Sequence, residues 1–199
     1  MRLTRPPAST QRGIALLTSM LLLMIITLMA LAMFRSVGTQ EKIAGNLREK
    51  DRALHSAEVA QQYGEWWLLQ GNNVAVGDVA CTAGVVLTTT GLNPVSQICS
   101  VGQTAQNMFG DITLPSNWST RTEYLPQGMS VTAGTAGANG DIAYAKVPAF
   151  YISDLGLSAD GAGEAYQVAA YGFGGATGSI AVVESVYEVQ QGVVNRGGL

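Results

Sequence analysis

The sequence has no charged residue in residues 14–34, where only two threonines and one serine interrupt an apolar run of 21 residues. It also has no proline between Pro7 and Pro94, so no proline breaks a helix in that interval. A helix over the uncharged run reaches about 31 Å, close to the thickness of a bilayer's hydrocarbon core. These two absences predict a membrane-spanning helix that continues into a second helical segment.

Acidic residues are absent from residues 1–13, whereas Arg2, Arg5 and Arg12 all precede the apolar run. The positive-inside rule assigns such a basic arm to the cytoplasm and the following chain to the far side of the membrane. A cleaved secretory signal is disfavoured, because its apolar region is typically about 7–15 residues long. We therefore expect a signal anchor: a single-pass protein of the bacterial inner membrane, with its C-terminus in the periplasm.

Histidine is almost absent, since His55 is the only one in 199 residues. Nucleophilic catalysis needs a nucleophile, a base and an orienting group within mutual reach, and no such convergence is visible around His55. The glycine-rich residues 172–178 lie between two predicted strands, so no helix N-terminus is available there to bind phosphate. We therefore expect no enzymatic activity and no cofactor.

Basic residues are scarce beyond the first arm. The chain carries 11 basic and 14 acidic residues, and removing the three leading arginines leaves 8 against 14, a net charge of about −6. This balance gives no electrostatic reason to bind nucleic acid. Asp154, Asp160 and Glu164 could offer oxygen ligands to Ca²⁺, but their spacing does not fit an EF-hand loop. An ordinary polar loop is the favoured interpretation, and no metal site is predicted.

Only two cysteines occur, Cys81 and Cys99, and both lie in the part predicted to be exported. An even pair in an oxidising compartment favours a disulfide, with two buried thiols or a metal site as alternatives. A metal site is disfavoured because the single histidine is far away, on the predicted helix. In the chain-entropy estimate, a disulfide closing a loop of this size contributes about 3 kcal/mol.

Residues 35–70 are predicted to continue the helix in water, because charged residues now recur along them. Gly38 and Gly45 are the positions where this helix would bend most easily. Trp66 and Trp67 are expected to pack on the following domain. Apolar residues at mostly three-, four- and seven-residue steps predict one buried stripe, consisting of Ile43, Leu47, Leu54, Ala57 and Tyr63.

Residues 71–199 are rich in glycine, threonine and valine, which predicts a turn-rich β domain. Residues 143–153 are expected to form a strand, and Pro148 favours an edge position for it. Residues 164–171 and 179–189 flank the glycine-rich segment and predict an antiparallel hairpin with one face on the helix. The expected fold class is α+β, a long N-terminal helix packed on a C-terminal antiparallel sheet.

A specific combination of motifs follows the basic arm. Gly13 directly precedes the apolar run, QEKIAGNLR occupies residues 40–48, and Ala57-Glu58 comes one segment later. The C-terminal VESVYEV follows a glycine-rich turn. Together these features resemble the PilX-type minor pilins of type IV pili. The resemblance is close over residues 11–58 and loose over residues 165–189, and it does not extend to residues 74–160.

The resemblance implies a pilin-like subunit with a basic leader (residues 1–13), a membrane and filament-core helix (14–34), an amphipathic helix (35–70) and a periplasmic β domain (71–199). A prepilin peptidase would cut after Gly13, and Ile14 would then be N-methylated. The implied partners are membrane lipid before assembly, other minor and major pilins, and the inner-membrane assembly machinery. The implied subunit-packing candidates are Glu41, Ala44, Gly45, Asn46, Arg48 and Glu58.

The sequence departs from most pilins at the fifth mature position, which is Thr18 when counted from Ile14. Most pilins carry glutamate there, which can neutralise the terminal amine of a neighbouring subunit. A hydroxyl cannot replace a carboxylate in a low-dielectric helix bundle, where an unpaired charge is costly. We therefore expect a place at or near the filament tip, in a complex that primes pilus assembly, with adhesion and twitching motility as further roles to test.

Two other functions stay open at this point. A minor pseudopilin of a type II secretion system would share the leader and the helix. A signal-anchored periplasmic binding domain that never polymerises would share the membrane segment alone.

Overall fold

The computed structural model describes residues 12–70, 73–90, 95–131, 143–159 and 161–190. The chain divides into two compact units, Met1–Asn46 and Leu47–Leu199. Within the described residues, the first unit is helical throughout and the second contains all of the β-structure. Residues 1–11 of the predicted leader lie outside the described residues.

Helix α1 (Arg12–Leu68) is 57 residues long. The absence of proline and the abundance of leucine, methionine, alanine and glutamate favour this helix, and both Gly38 and Gly45 lie inside it. Among the described residues, α1 is the one helix long and apolar enough to cross a bilayer.

The second unit is built around a five-stranded β-sheet. The main sheet has the order β1-β2-β5-β6-β7, parallel between β1 and β2 and antiparallel at its other contacts. A separate pair of short strands, β3 and β4, runs parallel. The strands in chain order are β1 (Val86–Thr90), β2 (Arg121–Leu125), β3 (Ser130–Val131), β4 (Ala143–Tyr144), β5 (Ala149–Leu157), β6 (Glu164–Phe173) and β7 (Ile180–Val189).

This arrangement confirms the predicted α+β class, with one parallel strand pair in a sheet that was expected to be antiparallel. The predicted hairpin is also present, because β6 and β7 pair antiparallel along their full length and the glycine-rich residues connect them. One face of β7 lies towards the helix, since the Ser185 hydroxyl donates to a Glu65 carboxylate oxygen at 2.6 Å.

The last part of α1 packs on one face of the main sheet through small residues. Larger residues of this core come from both partners: Tyr63, Trp67 and Leu68 from the end of the helix, and Phe150 and Val168, which are completely buried, from the sheet. At Gly64 an added Cβ would lie 3.0 Å from Val168 Cγ1, so glycine lets the helix and the sheet approach closely. The buried helix residues are Ala53, Ser56, Ala57, Ala60, Tyr63, Gly64, Trp67 and Leu68.

The predicted buried stripe is therefore wrong in its first half. Ile43, Leu47 and Leu54 are 55, 60 and 41% exposed, whereas Ala57 and Tyr63 are buried. Alanine and serine occupy the contacting face between Ala53 and Ala60, where the sheet approaches α1 closely, and larger side chains pack against the sheet only from Tyr63 onwards. The tryptophan prediction holds for Trp67, which is buried, and not for Trp66, which is 44% exposed.

The opposite face of the main sheet carries a second core with helix α2 (Ala105–Phe109) and a 3₁₀ turn (Pro115–Asn117). Trp118 at its centre is fully buried and stacks on Phe109, with ring centroids 5.1 Å apart. The disulfide between Cys81 and Cys99 lies in this core and ties an irregular segment to the sheet.

The edge position predicted from Pro148 is also wrong. Strand β5 begins directly after this proline and is the third of five strands in the main sheet. Pro148 takes part through its carbonyl oxygen, which accepts a hydrogen bond from the Tyr124 amide at 3.0 Å. A proline just ahead of a central strand therefore breaks no ladder bond, although it lacks an N–H.

Candidate assembly surface

The first unit presents an apolar surface that no other described residue covers. Every side chain from Ile14 to Phe34 is exposed, and the large apolar ones are 49 to 78% exposed. Contiguous apolar surface of this kind marks a membrane or protein contact. We therefore expect lipid or other helices to cover this segment in the cell.

Polar groups within the apolar run are satisfied by the helix itself. The Ser19 hydroxyl donates to the Leu16 carbonyl at 2.9 Å, and the Thr27 hydroxyl donates to the Met24 carbonyl at 2.8 Å. In a medium without water every unpaired polar group costs several kcal/mol, so these internal bonds suit the segment to lipid or to a helix bundle.

Thr18, at the fifth position counted from Ile14, uses its hydroxyl in the same way. Its Oγ1 lies 3.1 Å from the Ile14 carbonyl oxygen and 3.0 Å from that of Ala15. The side chain therefore offers neither a negative charge nor a free donor to another subunit. Gly13 and Ile14, the predicted cleavage pair, lie in the first turn of α1.

The predicted subunit-packing residues fall on both sides of the division between the units. In the first unit, Glu41, Ala44, Gly45 and Asn46 are all exposed. A Cβ added at Gly45 would have no neighbour within 4 Å, and the same holds at Gly38. Packing within the described chain thus gives no reason for either glycine. In the second unit Arg48 is exposed and Glu58 is partly buried.

Glu49 and Arg52 form a clasp between α1 and the β6–β7 turn. Glu49 Oε2 accepts the Gly175 amide at 2.6 Å, and Glu49 Oε1 lies 2.9 Å from Arg52 Nη1. The Arg52 guanidinium also donates to the Ala143 carbonyl at 2.6 Å and lies over the Tyr144 ring, 5.0 Å from its centroid. The clasp fixes the turn and β4 to the helix.

Glycines in the turn make this close approach possible. A Cβ at Gly174 would lie 2.6 Å from the Glu49 carbonyl oxygen, and one at Gly175 would lie 2.7 Å from Arg52 Nη1. At Gly172 a Cβ would lie 2.7 Å from the Ala53 carbonyl oxygen. The glycine-rich segment is therefore a hairpin turn, as expected, that also docks on the helix.

Sequence reasoning missed the clasp. It placed residues 35–70 in water because charged residues recur along them, and the only available signal was a Glu followed three residues later by an Arg. That pattern usually marks a weak surface pair. The Gly175 amide that Glu49 binds is 126 residues away in the sequence, so no local sequence pattern could predict this contact.

Other groups considered from the sequence do not assemble into a site. His55 is exposed, with Nδ1 3.6 Å from a Glu58 oxygen. Burial raises the pKa of Asp154, and the nearby carboxylates of Glu164 and Asp78 add to this effect. The part of the chain that the structure describes contains no group of three metal-ligating side chains, and Asp160 lies outside it.

Two protein families match the chain in consecutive segments. The PilX N-terminal family matches residues 12–60. The family described as type IV pilus assembly protein PilX, C-terminal, matches residues 82–189, more than half of the chain. The chain belongs to the PilX family. The match includes residues 82–160 and therefore covers most of residues 74–160, to which the resemblance seen in the sequence does not extend.

No curated protein and no solved structure matches the chain significantly. Membership of the PilX family makes the chain a type IV pilus assembly protein. The exposed apolar helix fits a component that is anchored in a membrane and contributes to a pilus.

Proposed function

We propose that this protein is a minor pilin that primes type IV pilus assembly at or near the filament tip, without enzymatic activity. The observation that carries the proposal is the apolar surface of residues 14–34, uncharged, exposed and internally hydrogen-bonded. A helix bundle inside a filament can bury the same apolar surface that lipid buries, so transfer from the bilayer need not be costly.

The proposal includes processing at Gly13. A prepilin peptidase removes residues 1–13, Ile14 becomes the methylated N-terminus, residues 14–34 span the inner membrane, and residues 35–199 lie in the periplasm. The three arginines before the apolar run support this orientation. N-terminal sequencing of the mature protein tests it, with a methylated isoleucine as the expected first residue.

The tip position rests on Thr18. Threonine has no carboxylate to pair with the amine of a neighbouring subunit. Its hydroxyl is also bonded to carbonyl oxygens of its own helix, so it is not free to act as a donor instead. Immunogold labelling should mark filament ends for the wild type. Thr18→Glu should spread the label along the shaft, whereas Ser19→Glu, one residue away, should not. Uniform labelling of wild-type filaments would contradict the tip position.

Gly38 and Gly45 support packing against other subunits. A glycine within a helix costs about 1 kcal/mol relative to alanine, and neither has a neighbour that an added Cβ would meet. Close approach by another helix would account for both. We propose that the contact with other subunits includes Gly45 and the other packing candidates, which are Glu41, Ala44, Asn46, Arg48 and Glu58.

The alternatives are separated by a deletion strain and by shearing. We expect deletion of the gene to abolish surface fibres and to leave type II secretion intact, which is the opposite of the pseudopilin prediction. We expect the mature protein in sheared filaments, where a tethered, non-polymerising domain would be absent. The PilX match favours the pilus over the secretion system. Loss of twitching and of adhesion should then follow from the loss of fibres.

A further inference from the structure

A groove of about 570 Å³ opens beside the second core, bordered by Thr177 of the β6–β7 turn and by the core residues Tyr171 and Phe173. Its volume lies within the range of about 300–1,000 Å³ that small-molecule sites occupy. The polar groups that decide its chemistry are Tyr171, Lys146, Arg121 and Glu123. Apolar walls complete it, formed by Leu114, Pro115, Val131, Val147, Phe173 and Ile180.

The Tyr171 hydroxyl is an available donor in this groove. Tyr171 is only 5% exposed, and its hydroxyl, which reaches the groove, has no hydrogen-bond partner among the described residues. The comparable buried tyrosines are bonded within the protein, because Tyr151 donates to the Gln103 carbonyl at 2.8 Å and Tyr166 donates to Glu164 at 2.7 Å. A ligand in the groove can accept the Tyr171 hydrogen bond without breaking a bond within the protein.

Burial raises the pKa of Tyr171 to about 12, with a lowering influence from Arg121 and a raising one from Glu123. The hydroxyl is therefore protonated at neutral pH and serves as a donor. Arg121 itself is occupied, since it donates to Glu123 at 2.6 Å and to the Trp118 carbonyl at 3.0 Å.

Lys146 supplies the free positive charge. Its ammonium lies 5.3 Å from the centroid of the Phe173 ring, and no carboxylate of the described residues lies within ion-pair distance of it. Because Arg121 and Glu123 compensate each other, the lining has a net charge of about +1. A ligand with one negative charge is the electrostatic complement.

We propose that this groove binds a sugar that carries a carboxylate, such as a uronic or a sialic acid. The carboxylate pairs with Lys146, a ring or glycosidic oxygen accepts the hydrogen bond from Tyr171, and the C–H face of the sugar contacts the apolar walls. The hydroxyls of Ser116 and Thr177, which also line the groove, match the hydroxyls of such a ligand. The site does not depend on a role in pilus assembly.

An acidic peptide shares the carboxylate but fits the groove less well. A glutamate side chain offers Lys146 its charge, but it has no ring to cover the apolar walls and few groups for the hydroxyls. A neutral sugar has the ring and lacks the charge. The combination of one net positive charge, the Tyr171 donor and apolar walls therefore distinguishes the three ligand classes.

The test uses the full chain in a detergent without a sugar headgroup. Glucuronate and N-acetylneuraminate are titrated by saturation-transfer NMR and calorimetry, with glucose and a triglutamate peptide as comparisons. We expect saturable binding of at least one acidic sugar, at least tenfold weaker binding of glucose and of the peptide, and at least tenfold weaker binding after Lys146→Ala.

Tyr171→Phe separates binding from folding. Removing an unpartnered hydroxyl should leave the melting temperature unchanged or higher, while acidic-sugar binding weakens at least fivefold. Lys42→Ala, which removes an exposed lysine from the first unit, is the matched control and should leave affinity unchanged. The proposal is overturned if no acidic sugar binds saturably, if glucose or the peptide binds equally well, or if Tyr171→Phe leaves affinity unaltered.

Discussion

The two units of the chain use one helix in opposite ways. In the first unit, leucine, methionine and isoleucine are exposed from Ile14 to Phe34. In the second unit, alanine, serine and glycine are buried on the face of α1 that meets the sheet, with Ala53, Ala57 and Ala60 fully covered. The large apolar residues of the first unit are thus exposed, whereas the face of α1 between Ala53 and Ala60 carries small residues that pack on the sheet of the same chain.

Glycines repeat this contrast. Gly64 has a reason within the fold, because an added Cβ would press on Val168 and Phe150 at 3.0 and 3.1 Å. Gly38 and Gly45 have none, since an added Cβ would meet nothing within 4 Å. The first unit is therefore shaped for contacts made outside the chain, and the second is satisfied largely by its own residues.

The strongest way to break this contrast is a charge in the apolar run. Leu23→Arg places a guanidinium near the middle of the run, where insertion into a bilayer costs about 3 kcal/mol. We expect a severe loss of membrane-associated protein and of pili. Gln40→Arg, exposed in the same unit but beyond the run, should leave both near the wild-type level. Equal membrane retention for the two variants would show that the run does not span lipid.

The second largest effect should come from Gly172→Ala. The new Cβ would lie 2.7 Å from the Ala53 carbonyl oxygen and also press on the Ala57 amide, and helix backbone cannot move aside as a side chain can. Overpacking of this kind costs about 2–3 kcal/mol of unfolding free energy, measurable by denaturant titration.

Gly178→Ala is the matched control for this variant. It lies in the turn that follows β6, has no positive φ and has open space where a Cβ would be added, so we expect a change within about 0.5 kcal/mol. Similar losses for both variants would mean that turn flexibility, and not contact with the helix, requires the glycines.

The sequence predicts the parts of the fold that depend on local patterns. The helix followed from an uncharged run and a missing proline, and the hairpin followed from alternation around a glycine-rich turn. The disulfide followed from the presence of only two cysteines. Each of these signals lies within a few residues or depends on a simple count.

The errors concern long-range contacts. Leu47 and Leu54 fit a helical stripe equally well whether a sheet or solvent faces them, so periodicity could not reveal that Ala53 and Ser56 form the docking face. The groove at Tyr171 was also invisible, because it joins residues from four separate segments. Of the candidate assembly surface, the apolar part could be predicted and the Glu49 clasp could not.

A third prediction tests the clasp, which is one of the contacts that the second unit makes within its own chain. Glu49→Ala removes the acceptor of the Gly175 and Ala176 amides and the partner of Arg52. Hydrogen bonds to a partly exposed carboxylate suggest a loss of about 1–2 kcal/mol in denaturant unfolding.

Glu58→Ala is the control for the clasp. Its contact with His55 is long, at 3.6 Å, and the His55 and Glu58 side chains are 75% and 44% exposed to water. Exposed pairs contribute little, so we expect less than about 0.5 kcal/mol. If the two variants lose the same stability, the Glu49 contacts are no stronger than an ordinary surface pair.

The smallest predicted effect sharpens the contrast, because it concerns the one buried side-chain atom that the described residues leave unsatisfied. Ser56 Oγ is buried on the docking face of α1 and has no hydrogen-bond partner there, whereas the Ser153 hydroxyl, equally buried in β5, donates to Gln167 at 3.0 Å. Ser56→Ala removes an unpaired polar group and improves helix propensity, so unfolding free energy should rise by about 0.5–1 kcal/mol. Ser153→Ala removes a satisfied one and should lower it by about 1 kcal/mol. The same substitution should therefore change the melting temperature in opposite directions, and a loss at both positions would mean that Ser56 is bonded through water.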